Sequence, residues 1–294
     1  MNLEKINEIK KLAIIAMFSD DELMEKLVLK GGNALDIVYK VESRASLDLD
    51  FSMPSEFKPN EVQSIGLKLE ASLKRVFNEN GYEVFDINFE ERPKERNEKT
   101  PPFWGGYELN FKVIERNTFI KNIPDSQQLR LSSIDIGPGS RKTFRVDISK
   151  WEDCHFKTEA ELDDYTIYLY TPKAIVFEKL RAICQQMPKY CNFIGTHDGI
   201  ARARDFFDIY TTVKHFGLDL TDEESLELLR NIFKAKECRL ELLMEACNYR
   251  EFHRPDFLQV VNTVKPKVKL KEFDFYFDYV VTICDKLSKA FRIV

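Results

Sequence analysis

The sequence lacks any apolar run approaching the roughly 18 residues needed to span a bilayer, which excludes a helical membrane protein. Its six cysteines (Cys154, Cys184, Cys191, Cys238, Cys247, Cys284) lie far apart and include no Cys-x-x-Cys pair, so the ordinary spacings of structural zinc are missing. No apolar signal region precedes the amphipathic start, and a reduced, cytoplasmic protein is expected. Histidine is scarce. The four (His155, His197, His215, His253) show no ligand spacing and read as ordinary surface or core. Charge of one sign is missing too: 44 basic and 49 acidic side chains leave a net charge of −5. No global positive field draws nucleic acid in, so any RNA contact must come from a local patch. Internal repeats and low-complexity tracts are also absent.

Against this plain background one stretch stands out. Leu29-Lys30-Gly31-Gly32-Asn33-Ala34-Leu35 is followed, about ten residues on, by Arg44-Ala45-Ser46-Leu47-Asp48-Leu49-Asp50-Phe51. Gly31 and Gly32 leave a short apolar strand and open a helix, where backbone N–H groups can meet phosphate oxygens. The second segment alternates polar and apolar residues. As a strand over 46–52 it would put Leu47, Leu49 and Phe51 on a buried face and Ser46, Asp48 and Asp50 on the other. Carboxylates about 7 Å apart at Cα can bracket hard divalent cations such as Mg²⁺, which in two-metal phosphoryl chemistry sit roughly 3.5–4 Å apart. Ser46 could hydrogen-bond a carboxylate or a phosphate, or could simply be a turn residue.

The rest of the chain divides near Thr171, giving an expected α/β lobe over 1–170 and a helical lobe over 171–294. Apolar residues at helical spacing predict a helix over 3–17, and Ser19 with Glu22 forms a capping box for the next. Helices over 33–41 and 60–80 follow, the latter stopped by Gly81. Strands are expected at Val84–Glu90, Tyr107–Ile114, Leu129–Ile136, Thr143–Ser149 and Thr166–Tyr170. The charged segment Glu90–Pro102 reads as a solvated loop. Thr171 and Pro172 supply the cap and first residue of a helix to Gln186. Asp198 can cap another, running to about His215 before Gly217. Thr221 with Glu224 repeats the capping box, and residues 238–249, 255–264 and 271–290 complete the helical half. The run Lys265–Lys271 reads as a solvated linker that could touch a nucleic-acid backbone, and Phe273–Phe277 as packing for the last helix.

Two further features complete a candidate site. In Thr143–Ser149, Phe144, Val146 and Ile148 face one way while Arg145 and Asp147 face the other. Asp147 could be a third metal ligand or the base for an attacking hydroxyl, or merely an ion-pair partner of Arg145. Asp135 is the other candidate for the third carboxylate. On later helices lie Phe177–Ala182, carrying Lys179, and Arg202–Tyr210, carrying Asp205 and Asp208 on one helical face. Lys179 suits the grip on a triphosphate. A plain salt bridge from Lys179 to Asp205 or Asp208 is the bland alternative, and the two are compatible.

Taken together these residues resemble the AbiEii/AbiGii toxin family, nucleotidyltransferases of bacterial toxin–antitoxin and phage-defence systems. The likeness covers at least residues 20–215: Lys30, Gly31, Gly32, Arg44, Ser46, Asp48 and Asp50, then Glu178 to Ala182, then Arg204, Asp205 and Asp208. The resemblance implies an α+β protein, with a polymerase-β-like nucleotidyltransferase lobe built on a mixed sheet and a helical C-terminal lobe. It also implies transfer of NMP from NTP with Mg²⁺, tRNA 3′ ends as acceptors, and a co-encoded antitoxin, often a DNA-binding repressor. In that frame Asp48 and Asp50 bind the metal, Gly31 and Gly32 seat the phosphates, Lys179 grips the triphosphate, and Asp205 orients Lys179 or assists proton transfer. Gly-Gly-Asn replaces the Gly-Ser of many nucleotidyltransferases, so backbone donors must replace a serine contact. Other readings of the same residues are adenylylation of a partner protein and a non-catalytic nucleotide-binding protein.

Overall fold

Alternating apolar residues build a seven-stranded mixed sheet whose strands lie side by side in the order Tyr82–Arg92, Gly106–Glu115, Thr143–Ser149, Leu49–Ser52, Val28–Lys30, Tyr165–Tyr170 and Lys157–Leu162, and the candidate site stands on its central strands. The computed structural model describes residues 3–41, 43–44, 46, 48–94, 101–136, 138–195 and 199–292. The strands are β1 (Val28–Lys30), β2 (Leu49–Ser52), β3 (Tyr82–Arg92), β4 (Gly106–Glu115), β5 (Thr143–Ser149), β6 (Lys157–Leu162) and β7 (Tyr165–Tyr170). β2 pairs parallel with β5 and antiparallel with β1, while β1 runs parallel to β7. Period-two alternation sends Leu29, Leu49, Phe51, Val146 and Ile148 into the core, all at most 2% exposed. The helices Leu3–Phe18 and Val62–Glu79 pack on each other and against the sheet.

Beyond Thr171 the chain is helical. Thr171 caps Pro172–Cys184 through the Ala174 N–H, with proline at the first turn. This helix packs against Ala203–Phe216 and Glu223–Lys234, and Phe273–Ala290 packs on Ala203–Phe216. Phe273, Tyr276 and Phe277 are buried there, against Phe206 and Phe207. One continuous apolar core runs from the first helix to the last.

Several local expectations are corrected. The strand proposed for Leu129–Ile136 is instead a helix, Ser126–Ser132, because Asp125 accepts from the Gln127 and Gln128 N–H groups and starts it. Both caps lie one residue later than the capping boxes proposed. Asp20 caps Leu23 in place of Ser19, and Asp222 caps Ser225 in place of Thr221, a carboxylate outcompeting the neighbouring hydroxyl each time. The helix after the glycines is a single α-turn, Gly31–Asn33, continued as a π-helix over Ala34–Val38. The helices expected over 238–249 and 255–264 are shorter α-helices, Leu242–Glu245 and Phe257–Thr263, interleaved with 3-10 turns. Lys265 is no mere linker residue: its ammonium sits 2.6 Å from buried Asp36, and its N–H donates to Ser43 O. The cap proposed at Asp198, and Ala45, Leu47, His197 and part of the Glu90–Pro102 loop, lie outside the described residues.

Candidate active site

Strand register creates the site. Lys30 on β1 stands opposite Asp50 on β2, and Asp50 stands opposite Asp147 on β5, in one row across the charged face of the sheet. Glu108 on β4 extends the row. The strand carrying Asp50 starts only at Leu49, so Asp48 and Ser46 are not its period-two companions as expected. They lie in the preceding loop. That loop is nonetheless tied down. Buried Lys10 donates to Ser46 O (2.8 Å) and Asn33 Oδ1 (3.2 Å), and the Asn33 amide donates to Asp48 O (2.5 Å). On its other flank Arg44 forms a bridge with Val264 and a two-pronged pair with Asp208, at 2.6 and 2.5 Å.

A cavity of about 270 Å³ collects the pieces. Gly31, Gly32, Ser46, Asp48, Asp50 and Asp147 line it from the sheet side. Glu178, Lys179, Arg202 and Asp205 line it from the helices. All eight sequence-proposed site residues therefore meet at one place. Asp135 does not: it pairs with Lys142 at 2.9 Å and stands half-exposed away from the cavity.

The glycines have a steric reason. Gly31 has φ +72°, and a Cβ there would lie 2.8 Å from Asp50 Oδ2. At Gly32 a Cβ would come within 3.0 Å of Ser46 Cβ. The backbone thus passes hard against the acidic residues, as only glycine permits.

Electrostatics separate the carboxylates. Burial, aided by Asp147 and Glu178 and opposed by Lys30, pushes the Asp50 carboxyl up to about 6. Burial also raises Asp147, although Arg145 pairs with it at 2.8 Å. Asp205 behaves oppositely. Its burial is outweighed by Arg202 and Lys179, which hold it well below the usual carboxylate range. Lys179 bridges Asp205 (3.0 Å) and Asp208 (2.7 Å), and these partners overcome its burial and raise its pKa. The bland salt-bridge reading of Lys179 is therefore realised, at the cavity wall. His253, buried behind this wall, accepts from the Arg202 N–H (3.0 Å), and burial lowers its pKa to about 4.

Sequence reasoning gave no role to Lys10, Asn33, Glu178 or Arg202. Glu178 pairs with Lys30, which also reaches Ser149 Oγ (3.2 Å) and Glu152 (3.7 Å). Arg202 pairs with Asp205. A lysine on the otherwise apolar face of the first helix was the one signal that could have flagged Lys10.

The donor set suits a hard cation. Among the described residues no three His, Cys, Asp or Glu side chains form a ready-made metal cage. Asp48 is engaged by Arg141 at 2.7 Å. Mg²⁺ ordinarily takes one or two carboxylates and completes its shell with substrate phosphates and water, a demand that Asp50 with Asp48 or Asp147 can meet. Burial, with a smaller contribution from neighbouring carboxylates, raises the Asp50 and Asp147 carboxyls, and a bound cation would favour their ionised forms.

Fold and site together define the class as a nucleotidyltransferase-fold protein. Two solved structures share the fold. JHP933 from Helicobacter pylori is 17% identical with a TM-score of 0.50, over 97% of this chain and 93% of that chain. MenT4, the nucleotidyltransferase toxin Rv2826c from Mycobacterium tuberculosis H37Rv, is 15% identical with a TM-score of 0.50, over 98% of this chain and 86% of that one. No curated protein matches the sequence. The family described as nucleotidyl transferase AbiEii toxin, Type IV toxin–antitoxin system, matches residues 13–279, and the chain belongs to it. Membership implies an NTP substrate, typically a divalent metal, and an antitoxin partner. Among the described residues no helix is long and apolar enough to cross a membrane.

Proposed function

We propose that this protein is a Mg²⁺-dependent toxin that transfers a nucleoside monophosphate from an NTP to RNA, with the 3′ end of tRNA as acceptor. The observation that carries this reading is the opposition of two charge sets across one cavity. Asp50 and Asp147 stand side by side in register on the sheet wall, and Lys179 and Arg202 stand on the helical wall.

In the reaction, the acceptor hydroxyl oxygen bonds to the α-phosphorus. The bond from that phosphorus to the bridging oxygen breaks, and pyrophosphate leaves with the electron pair. Asp50 with Asp48 or Asp147 would hold Mg²⁺, which supplies charge neutralisation of the phosphates and a lowered hydroxyl pKa. Gly31 and Gly32 leave room for phosphate oxygens beside bare backbone. Lys179 and Arg202 offset charge growing on the leaving group. Asp147, with its raised pKa, is suited to accept the hydroxyl proton. Asp205 is too acidic to carry a proton near neutrality, so its role is to orient Lys179 and Arg202.

The test incubates wild type and Asp50→Ala with each of the four α-labelled NTPs, Mg²⁺ and total tRNA. Label on RNA with wild type and a loss of at least about a thousandfold in the variant is expected. Equal labelling by both would overturn the reading, and label on a co-encoded protein with none on RNA would move the acceptor from RNA to protein.

A further inference from the structure

A second cavity, of about 480 Å³, adjoins the first and shares with it Lys30, Asp147, Glu178 and Ala182. Beyond that common wall the two differ in kind. Lys179, Arg202 and Asp205 line only the first, whereas Trp104, Arg92 and Gln185 line only the second. Asp147 thus lines both the cavity that holds the proposed pyrophosphate-binding cations and an aromatic, partly polar chamber. In-line displacement requires the attacking oxygen to enter opposite the leaving group. An acceptor approaching past Asp147 would therefore come from the second cavity.

The chamber's construction bears on what enters it. Its wall at Gly105 and Gly106 is bare backbone held close to its neighbours. A Cβ at Gly106 would lie 2.0 Å from Ile148 O, and one at Gly105, with φ +110°, would lie 2.5 Å from Arg92 O. The adjacent strands offer no free edge to an extended peptide, since β4 is paired by β3 and β5, and β5 by β4 and β2. An open-mouthed space walled by an indole and a guanidinium matches a single unstacked nucleoside at the end of a strand, because aromatic rings and arginine planes are the usual platforms for splayed bases.

We propose that this second cavity is the acceptor subsite, seating the terminal nucleoside of a single-stranded RNA with its base on Trp104 and its ribose hydroxyl at Asp147. The proposal rests on the transfer reading above and names where the acceptor docks.

The sequence contains two tryptophans, Trp104 and Trp151, so Trp151→Phe leaves Trp104 as the sole reporter in the full chain. Titrating that variant with the trinucleotide CpCpA should quench its fluorescence saturably, and the same concentration of NTP alone should leave it unchanged. In the transfer assay Trp104→Leu should raise KM for the RNA about tenfold or more while NTP affinity holds, and Trp104→Phe should recover most of the loss. No quenching by the trinucleotide, or an unaltered acceptor KM in Trp104→Leu while Asp50→Ala is inactive, would overturn the subsite and leave the transfer reading standing. An Asp50→Ala enzyme as active as wild type would overturn the transfer reading itself. Label on protein without quenching would replace a nucleoside acceptor by a peptide one. Should Trp104→Leu fail to fold, the fluorescence titration decides alone.

Discussion

At the scale of single residues, Asp50 is where geometry and titration meet most closely. Its carboxyl is held near pH 6 by burial, so the folded chain retains this proton more firmly than the unfolded chain, whose value is near 3.8. Between those values the folded state binds more protons, and stability therefore falls as pH rises through this window; the cost is fully present above pH 6. Asp50→Asn removes that cost. In metal-free buffer the variant should be more stable than wild type at pH 8, by up to about 3 kcal/mol, with the advantage gone at pH 4. Urea melts at the two pH values measure it, and an advantage independent of pH would refute it. Activity should move the other way. The metal competes with the proton for Asp50, so transfer by wild type should decline as pH drops through about 6, and the variant should be inactive throughout. Lys179 presents the converse case. Lys179→Met leaves Asp205 and Asp208 buried with one cationic partner each, Arg202 and Arg44, and should cost about 3 kcal/mol or more. Adding Asp205→Asn should restore at least about 1 kcal/mol, a coupling that denaturant titration of the single and double variants would reveal or deny.

Among the elements, the loop before β2 shows how much of the site a sequence can tell. The alternating pattern over 46–52 correctly put Asp50 opposite the apolar Leu49 and Phe51, because a half-buried central strand enforces period two. It could not show that pairing stops at Leu49, since that limit is set by where β1 ends and by contacts far along the chain, from Lys10, Asn33, Val264 and Asp208. Thr143–Ser149 was legible for the same reason as β2, with apolar Phe144, Val146 and Ile148 buried between two neighbours. β6 was missed because Lys157–Leu162 is an edge strand with only Leu162 buried, and its alternation of Glu159 and Glu161 with Ala160 and Leu162 is short and rests on one large apolar residue. The misread 129–136 segment shows local capping winning over β-rich composition. The loop's dependence on Lys10 can be measured. Burial lowers this lysine to about 8, yet its ammonium still spans Ser46 O and Asn33, so it acts by positioning. Lys10→Met should leave NTP affinity within about threefold while lowering kcat about a hundredfold, as expected when carboxylates drift by about 1 Å. Amide exchange at residues 46–49 should accelerate, and unchanged exchange with unchanged kcat would dismiss the role.

For the molecule as a whole, the site belongs to neither half of the chain alone. The sheet supplies acid and bare backbone; the helices beyond Thr171 supply Lys179, Arg202 and the carboxylates that neutralise the sheet's own buried cations. Lys30 is paired by Glu178, Arg44 by Asp208, and Lys265 in turn pairs Asp36. Glu152, before the boundary, is bound by Arg181 at 2.7 Å and reached by Lys236. Cutting the chain at residue 170 would strand these charges in apolar surroundings, where an unpaired buried ion costs several kcal/mol. It would also expose the core face that Ile175, Phe177 and Leu180 cover. Three or four such losses exceed the 5–15 kcal/mol that holds a typical domain together. A fragment of residues 1–170 should therefore show no cooperative thermal transition and no NTP binding, although it retains Asp48, Asp50, Asp147 and both glycines. Co-expression with residues 171–294 as a second chain should restore both, because what is missing is the set of counter-charges rather than chain continuity. A cooperative melt of the isolated fragment would mean that the ion pairs across residue 171 align the two walls of the cavity without holding up the sheet, and their removal would then be read in kcat and not in stability.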